Sequence, residues 1–374
     1  MPRSRRRVRL HRMLDRVRGP TPSAGGETEA ANQMVWDGER RGHYEVWYLT
    51  CNHRESRSGF WIRYTLESPL VGHGEPYAQL WFAYFDRDNP PASFAINRRF
   101  PIAALRAEAR PFSVRIGESH LGHDAMRGEL AGAGHQVRWD LRWQPATELH
   151  HHLPRVMYRG GGLGETTVLS PNLSVPILGT IEVDGRVLEF TGESGGQTHV
   201  WGRKHAFRWA WAHCTEFTGP NAAAFEALTV RLRRRGRTLP PLTILTLYLD
   251  GEVHDFTGFR FPLTGRTTGL IDTARYAFTA RRGALRIRGE IRCRPQDMVV
   301  ATYHDPDGDP SYCANTEVGD LWLRVERRVA GGWETRAELF ADATAHFEIG
   351  TRERDPAILR AHQAVDDEPA QGGR

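Results

Sequence analysis

Lysine is nearly missing from this chain: Lys204 stands alone among 50 Lys and Arg in 374 residues. An arginine bias of that size points to a GC-rich genome rather than to a mechanism. Cysteine is also scarce. Cys51, Cys214, Cys293 and Cys313 are scattered and never spaced C-x-x-C, which argues against a zinc ribbon or a disulfide scaffold and fits a reducing cytoplasm. No run approaches the roughly 18 to 20 apolar residues of a membrane-spanning helix. No short apolar stretch follows the basic N-terminus either, so a cleaved secretory signal is not expected. Helical patterns are few, with "PIAALRAEA" and "NAAAFEALTV" the only candidates.

The net charge of +5 misleads, because residues 1–18 hold eight Arg and one Asp and leave the rest of the chain at −2. A nucleic-acid partner would rest on that tail alone, and no recognition module supports it. The tail places Leu10, Met13, Leu14 and Val17 at helical spacing among arginines. Such a segment could lie on an anionic membrane surface as a peripheral contact of an otherwise cytoplasmic protein.

What the chain has in quantity is strands. "HYEVWYLTCN", "SGFWIRYTLE", "YAQLWFAYFD" and "HQVRWDLRWQP" are rich in aromatic and β-branched residues, and many alternate apolar with polar, as half-buried strands do. "TIEVDGRVLEF" and "LTLYLDGEVHDF" read as hairpins, with Asp184-Gly185 and Asp250-Gly251 supplying positive φ in two-residue turns. The expected organisation is a tail and linker over residues 1–33, β-domains over 34–165 and 166–355, and a polar tail over 356–374. Closed or nearly closed barrels would remove the exposed edges of so many aromatic strands.

Several motifs invite chemistry and then fail on context. Gly192-Glu193-Ser194-Gly195-Gly196 fits the hydrolase pattern G-x-S-x-G, but a nucleophile elbow needs a helix after the serine, and loop and strand follow here. "RGGGLGE" lacks the G-K-[ST] of a phosphate loop. In "DPDGDP", Pro310 stands where a calcium loop needs Gly and Thr316 where it needs Glu. In "ELHHHLP", neighbouring histidines of a strand point to opposite faces, and the stretch reads as a surface loop.

The segment "HVWGRKHAFRWAWAHCTEF" remains, with three His and three Trp close together. On a strand, Phe207, Trp209, Trp211, His213 and Thr215 share one face; His199 and Trp201, two apart, share a direction. Such faces could line a cavity with flat π surfaces and a titratable group, or serve as core aromatics with hydrogen-bonded histidines.

His199-x-Trp201-Gly202 followed by Trp209-x-Trp211-x-x-Cys214-x-x-Phe217 resembles the central signature of tocopherol cyclases. More distantly it is similar to carotenoid 1,2-hydratases and lipocalin-like Diels–Alderases. The resemblance implies an all-β fold of two lipocalin-like antiparallel β-barrels packed together, with little helix and a mostly apolar pocket between or within them. It implies a cofactor-free, metal-free cyclase or hydratase that protonates a C=C bond of an isoprenoid or polyene. His199 and Trp201 lead as pocket residues, with Trp209, Trp211 and His213 behind them. For the acid, the resemblance points to an aspartate downstream, and Tyr248 and Asp250 are nearest. Glu216 and Glu226 are alternatives, Glu226 needing a buried partner if it faces inward. Tyr312, Asn315, Glu317 and Glu348 also break β patterns with polar groups. The rival reading is a non-catalytic carrier of a hydrophobic small molecule.

Overall fold

The computed structural model describes residues 24–158, 165–356, 358 and 361–367. The arginine-rich segment read as a membrane contact lies outside them. Among the described residues, no helix is long and apolar enough to cross a membrane.

The fold is two antiparallel β-barrels packed together. In the first, β1 (His43–His53), β2 (Ser58–Ser68), β3 (Tyr77–Asp86) and β4 (Phe94–Pro101) form a meander. The short strands β5 (Leu105–Ala109), β6 (Phe112–Ile116) and β7 (Ser119–Gly122) follow, then β8 (Ala125–Gly132) and β9 (His135–Trp143). After β10 (His150–His151), the long hairpin of β11 (Thr166–Val183) and β12 (Arg186–Gly202) completes the sheet by pairing with β9 on one side and β1 on the other. The sheet curls until its ends nearly meet. Phe94 of β4 stacks on His135 of β9 with 3.7 Å between ring centres. The Tyr64 hydroxyl reaches across to the carbonyls of His120 and Arg127. Inside lie Trp47, Tyr64, Phe82, Trp139 and other apolar side chains, all buried.

The second barrel begins with β13 (Arg208–Cys214) and β14 (Ala223–Arg231), flanked by the strand Leu242–Leu249 and the long hairpin Pro310–Val329/Gly332–Thr351. Leu285–Arg292, Arg275–Arg282 and Thr267–Asp272 continue the sheet. Closure comes where the Thr267 hydroxyl donates to the Thr243 carbonyl at 2.6 Å. The Asp184-Gly185 and Asp250-Gly251 turns hold positive φ at both residues, with +51° and +84° in the first and +49° and +85° in the second.

Several expectations need correction. The change from first to second barrel falls between Gly202 and Arg208 rather than at 165/166, because β11 and β12 are bonded into the first sheet. "PIAALRAEA" is a short turn leading into β5, and "NAAAFEALTV" is β14. In β14, Phe225 and Ala227 pack into the second core while Glu226 points the other way, so sheet burial overrides alanine's helix propensity. Residues 24–31, expected in the linker, form a helix, α1 (Ala24–Ala31). Residues 362–363 and 365–367, expected in a tail, pair in parallel with Val299–His304 and β4.

Candidate functional site

Alternation along β13 decides what each side chain meets. Ala210, Ala212 and Cys214 fill the second barrel, so Trp209, Trp211 and His213 stand on its outer wall, facing the first barrel. Trp209 packs there with Trp61 and Trp81 of the first barrel and with Tyr303. The Tyr48 ring meets Trp211 edge-on at 6.1 Å. Polar ties fasten this seam: Asn52 Nδ2 donates to the Glu317 carbonyl at 2.6 Å, and Arg57 grips both carboxylate oxygens of Asp342.

The seam is rich in buried polar groups. Directly opposite His213 across β13 stand Glu226 on one neighbouring strand and His346 on the other. Glu226 is 4% exposed. Its Oε1 accepts a short hydrogen bond from Trp211 Nε1 and lies 3.1 Å from His152 Nδ1. Its Oε2 is buried and has no partner. Burial pushes the Glu226 carboxyl above the usual carboxylate range, against the opposing pull of His213, His150 and the Trp211 N–H. A proton on this carboxyl would sit on Oε2, since Oε1 is occupied as an acceptor.

Behind Glu226, His152 Nε2 meets the Ser170 hydroxyl at 2.9 Å, and Ser170 meets Thr198 at 2.9 Å. His150 Nδ1 lies 3.0 Å from the Tyr248 hydroxyl, while His150 Nε2 is buried without a partner. Burial lowers both His150 and His152 to about 3, so neither imidazole competes with Glu226 for a proton at neutral pH. On the other side, His213 Nε2 donates to the Leu173 carbonyl at 3.0 Å and His346 Nε2 meets Asn52 Oδ1 at 2.7 Å. That Asn52 oxygen is an acceptor, because its amide nitrogen serves the Glu317 carbonyl, so His346 Nε2 is also a donor. The two Nδ1 atoms then approach to 2.9 Å, a hydrogen bond only when one ring carries an extra proton, a charge that burial opposes. Glu317 Oε2 stands 3.4 Å from His346 Nδ1 and is otherwise unpartnered.

The residues singled out in the sequence are therefore divided. Trp209, Trp211 and His213 share the seam, with Tyr248 at its rim. His199 and Trp201 lie on the opposite side of β12 from Thr198, which joins the seam network. His199 is fully buried against Trp47, and neither ring nitrogen is free: Nδ1 donates to the Ala31 carbonyl at 2.7 Å and Nε2 meets Glu45 at 2.9 Å. Trp201 leans on His199 at 4.7 Å. The structure therefore places His199, a leading pocket residue of the sequence reading, away from the seam, where its ring joins α1 to the first barrel. Asp250 is also set apart: it sits exposed in its turn, where its carboxylate accepts from Asn221 Nδ2 and the Ala222 N–H. Ser194 lies within β12 with its hydroxyl on Thr215. Asp307 and Asp309 bind Lys204, and Asp305 binds His205 and Arg352. Glu216 pairs with Arg54. The missed signal was in "ELHHHLP": His150 and His152, two apart, turn together into the seam, whereas the stretch was read as a surface loop.

A profile of the tocopherol cyclase-like family matches residues 111–351. The chain belongs to the tocopherol cyclase-like family. Similar proteins include an uncharacterized protein of Mycobacterium tuberculosis, 28% identical over 340 residues that cover 89% of this chain and 94% of that one. A chloroplastic protein of Oryza sativa subsp. japonica named a probable tocopherol cyclase is 21% identical over 389 residues, covering 88% and 79%. Among solved structures, kievitone hydratase from Nectria haematococca aligns with a TM-score of 0.46 at 9% identity, over 83% of this chain and 88% of that one. The family match runs from β6 to the end of the long hairpin, and so contains β13, β14 and His150–His152 but not Tyr48, Asn52 or Trp81 of the seam.

Proposed function

We propose that this tocopherol cyclase-like chain is an enzyme that protonates a C=C bond of an apolar, isoprenoid or polyene small molecule in the seam between its barrels, with Glu226 as the acid. The observation that carries this reading is the buried, unpartnered Oε2 of a carboxyl that burial pushes above the usual carboxylate range. An alkene is a very weak base, so it takes a proton only from a donor that is aimed at it, unshared with water and not already spent on another acceptor. Glu226 is buried from bulk water, and its Oε2 is not spent on another acceptor. The cation formed would face the Trp211 ring and the parallel His213 ring 5.6 Å from it, and an indole face stabilises positive charge through its quadrupole.

The atoms balance without a cofactor. Glu226 gives its proton to one alkene carbon, and a phenol or water oxygen attacks the other. The proton lost by that oxygen returns to the carboxylate, which the Trp211 N–H stabilises meanwhile. Attack by a phenol of the same molecule makes the enzyme a cyclase, and attack by water makes it a hydratase. The name of the rice relative favours the cyclase, on a hydroquinone bearing an isoprenoid side chain.

Incubation of the full chain in D2O with such a prenylated hydroquinone tests the reading. The product should carry one deuterium at the carbon that received the proton, and Glu226→Gln should lower turnover about 100-fold or more while ligand affinity stays. Turnover undiminished in Glu226→Gln would overturn Glu226 as the acid. Saturable binding with no turnover by the unaltered chain would make the protein a carrier.

A further inference from the structure

A second cluster of unspent donors lies elsewhere along the seam, on the outer wall of the first barrel, and shares no residue with the Glu226 network. Arg63, Thr65 and Glu67 alternate with the core-facing residues of β2, and Trp81 stands beside them on β3. Across from them the second barrel contributes Tyr303. These side chains line a narrow cleft of about 20 Å³, room for one water-sized group.

Arg63 is 4% exposed. Its Nε donates to Thr65 Oγ1 at 2.9 Å, and its guanidinium lies over the Tyr303 ring at 4.2 Å. Among the described residues it forms no ion pair, and its terminal nitrogens have no hydrogen-bond partner. A buried guanidinium without a counter-charge is costly. Two donors on residues lining the same cleft are buried and unsatisfied: Trp81 Nε1, and the Tyr303 hydroxyl, which has only a loose approach from Asn315. Buried donors are rarely left unpaired in folded proteins, and here two of them belong to residues that border one gap with the Arg63 guanidinium.

We infer that this cleft is a binding site for a small oxyanion, a carboxylate or phosphate group, held by the Arg63 guanidinium with the Tyr303 hydroxyl and the Trp81 indole N–H. Acceptor oxygens and a negative charge are what these groups lack, and a guanidinium fork matches both anions. Arg99, stacked on Tyr77 at 3.9 Å, adds positive charge at the cleft's edge. The one acid in the lining, Glu67, does not oppose an anion near neutrality. Burial raises it to about 8, against the pull of Arg63 and Arg99, so it is protonated there and adds a donor. His304 also borders the cleft. The cleft admits an oxyanion's tip rather than a whole molecule, so the group arrives either free or as the end of a longer apolar ligand.

Titration of the full chain with inorganic phosphate, acetate and dodecanoate, followed by calorimetry and by the fluorescence of the neighbouring tryptophans, tests this. One saturable equivalent should bind. Arg63→Lys should weaken it about tenfold or more, and Tyr303→Phe about tenfold. Tyr303→Phe removes an unpartnered hydroxyl and should not lower the melting temperature, so its binding result stands even if Arg63→Lys fails to fold. Binding of inorganic phosphate and acetate marks a site for free anions, and binding of dodecanoate alone marks the end of a tailed ligand. Failure of all three to bind the unaltered chain, or unchanged binding in Tyr303→Phe together with any folded Arg63→Lys, overturns the inference.

Discussion

Replacing Glu45 by Gln should cost about 3 kcal/mol at pH 7, and the size of that loss follows from the geometry. Glu45 is wholly buried. Its two oxygens accept from the backbone N–H groups of Val35 and Trp36, at 2.6 and 2.9 Å, and face His199 and His43 at 2.9 and 3.1 Å. Burial alone would raise its pKa, but the hydrogen bonds from His199, His43 and Val35 win and hold it at about 2, against 4.5 in a free chain. At about 1.4 kcal/mol per unit, this gap is worth about 3 kcal/mol. Because the folded pKa is depressed, that stability is fully present above pH 4.5 and is lost as pH falls through 2. A glutamine presents an NH2 to one of these donors and keeps none of the charge. Urea unfolding followed by tryptophan fluorescence, with Trp47 stacked on His199 as a reporter, should show the full penalty at pH 7 and about half of it at pH 3. A loss below about 1 kcal/mol at pH 7, or one of equal size at both pH values, would refute the assignment of His199 and Glu45 as the clasp that holds α1 to the first barrel.

Glu67 should behave in the opposite sense. Its folded pKa of about 8 lies above the free value of 4.5, so the folded chain keeps a proton that the unfolded chain releases. Stability should fall by about 1.4 kcal/mol per pH unit across that window. Glu67→Gln should therefore gain on the unaltered chain in thermal melts from pH 5 to pH 8, and parallel profiles would contradict this. Gly350→Ala drives a methyl group into the Trp209 indole and should cost about 2 kcal/mol, read from the melting midpoint. Ser194→Ala and Asp250→Asn should leave turnover unchanged, since the first lies in a strand and the second caps an exposed turn; loss of turnover in either would reopen the corresponding reading.

The fold class was legible because it is written in local periodicity. Alternating apolar residues, two Asp-Gly turns and the near absence of helical spacing announce antiparallel strands. The same alternation correctly grouped Trp209, Trp211 and His213. It could not say that this face is an outer wall, because both walls of a barrel strand can be buried when a second barrel covers one of them. His199 and Trp201 were joined to that face as pocket residues by the family resemblance, yet β12 turns them to the other side. Glu226 could be suspected from its place in an apolar run, and its need for a buried partner is met by His152 and Trp211. His152 itself was hidden in a triplet that reads as loop, since what makes it a seam residue is β10 pairing with β11, a long-range bond that no local pattern encodes. The helix α1 was missed because its stability comes from the clasp on His199 and from Asn32 hydrogen-bonded to Gln197, not from an amphipathic stripe.

The protonation state of Glu226 is the point on which the functional account turns. Infrared difference spectroscopy at neutral pH, comparing the unaltered chain with Glu226→Gln, reads it directly. A carboxylic-acid C=O band should be present in the unaltered chain and lost in the variant. Loss instead of an ionised carboxylate pair of bands would mean that Glu226 has no proton to give, and the account would be wrong.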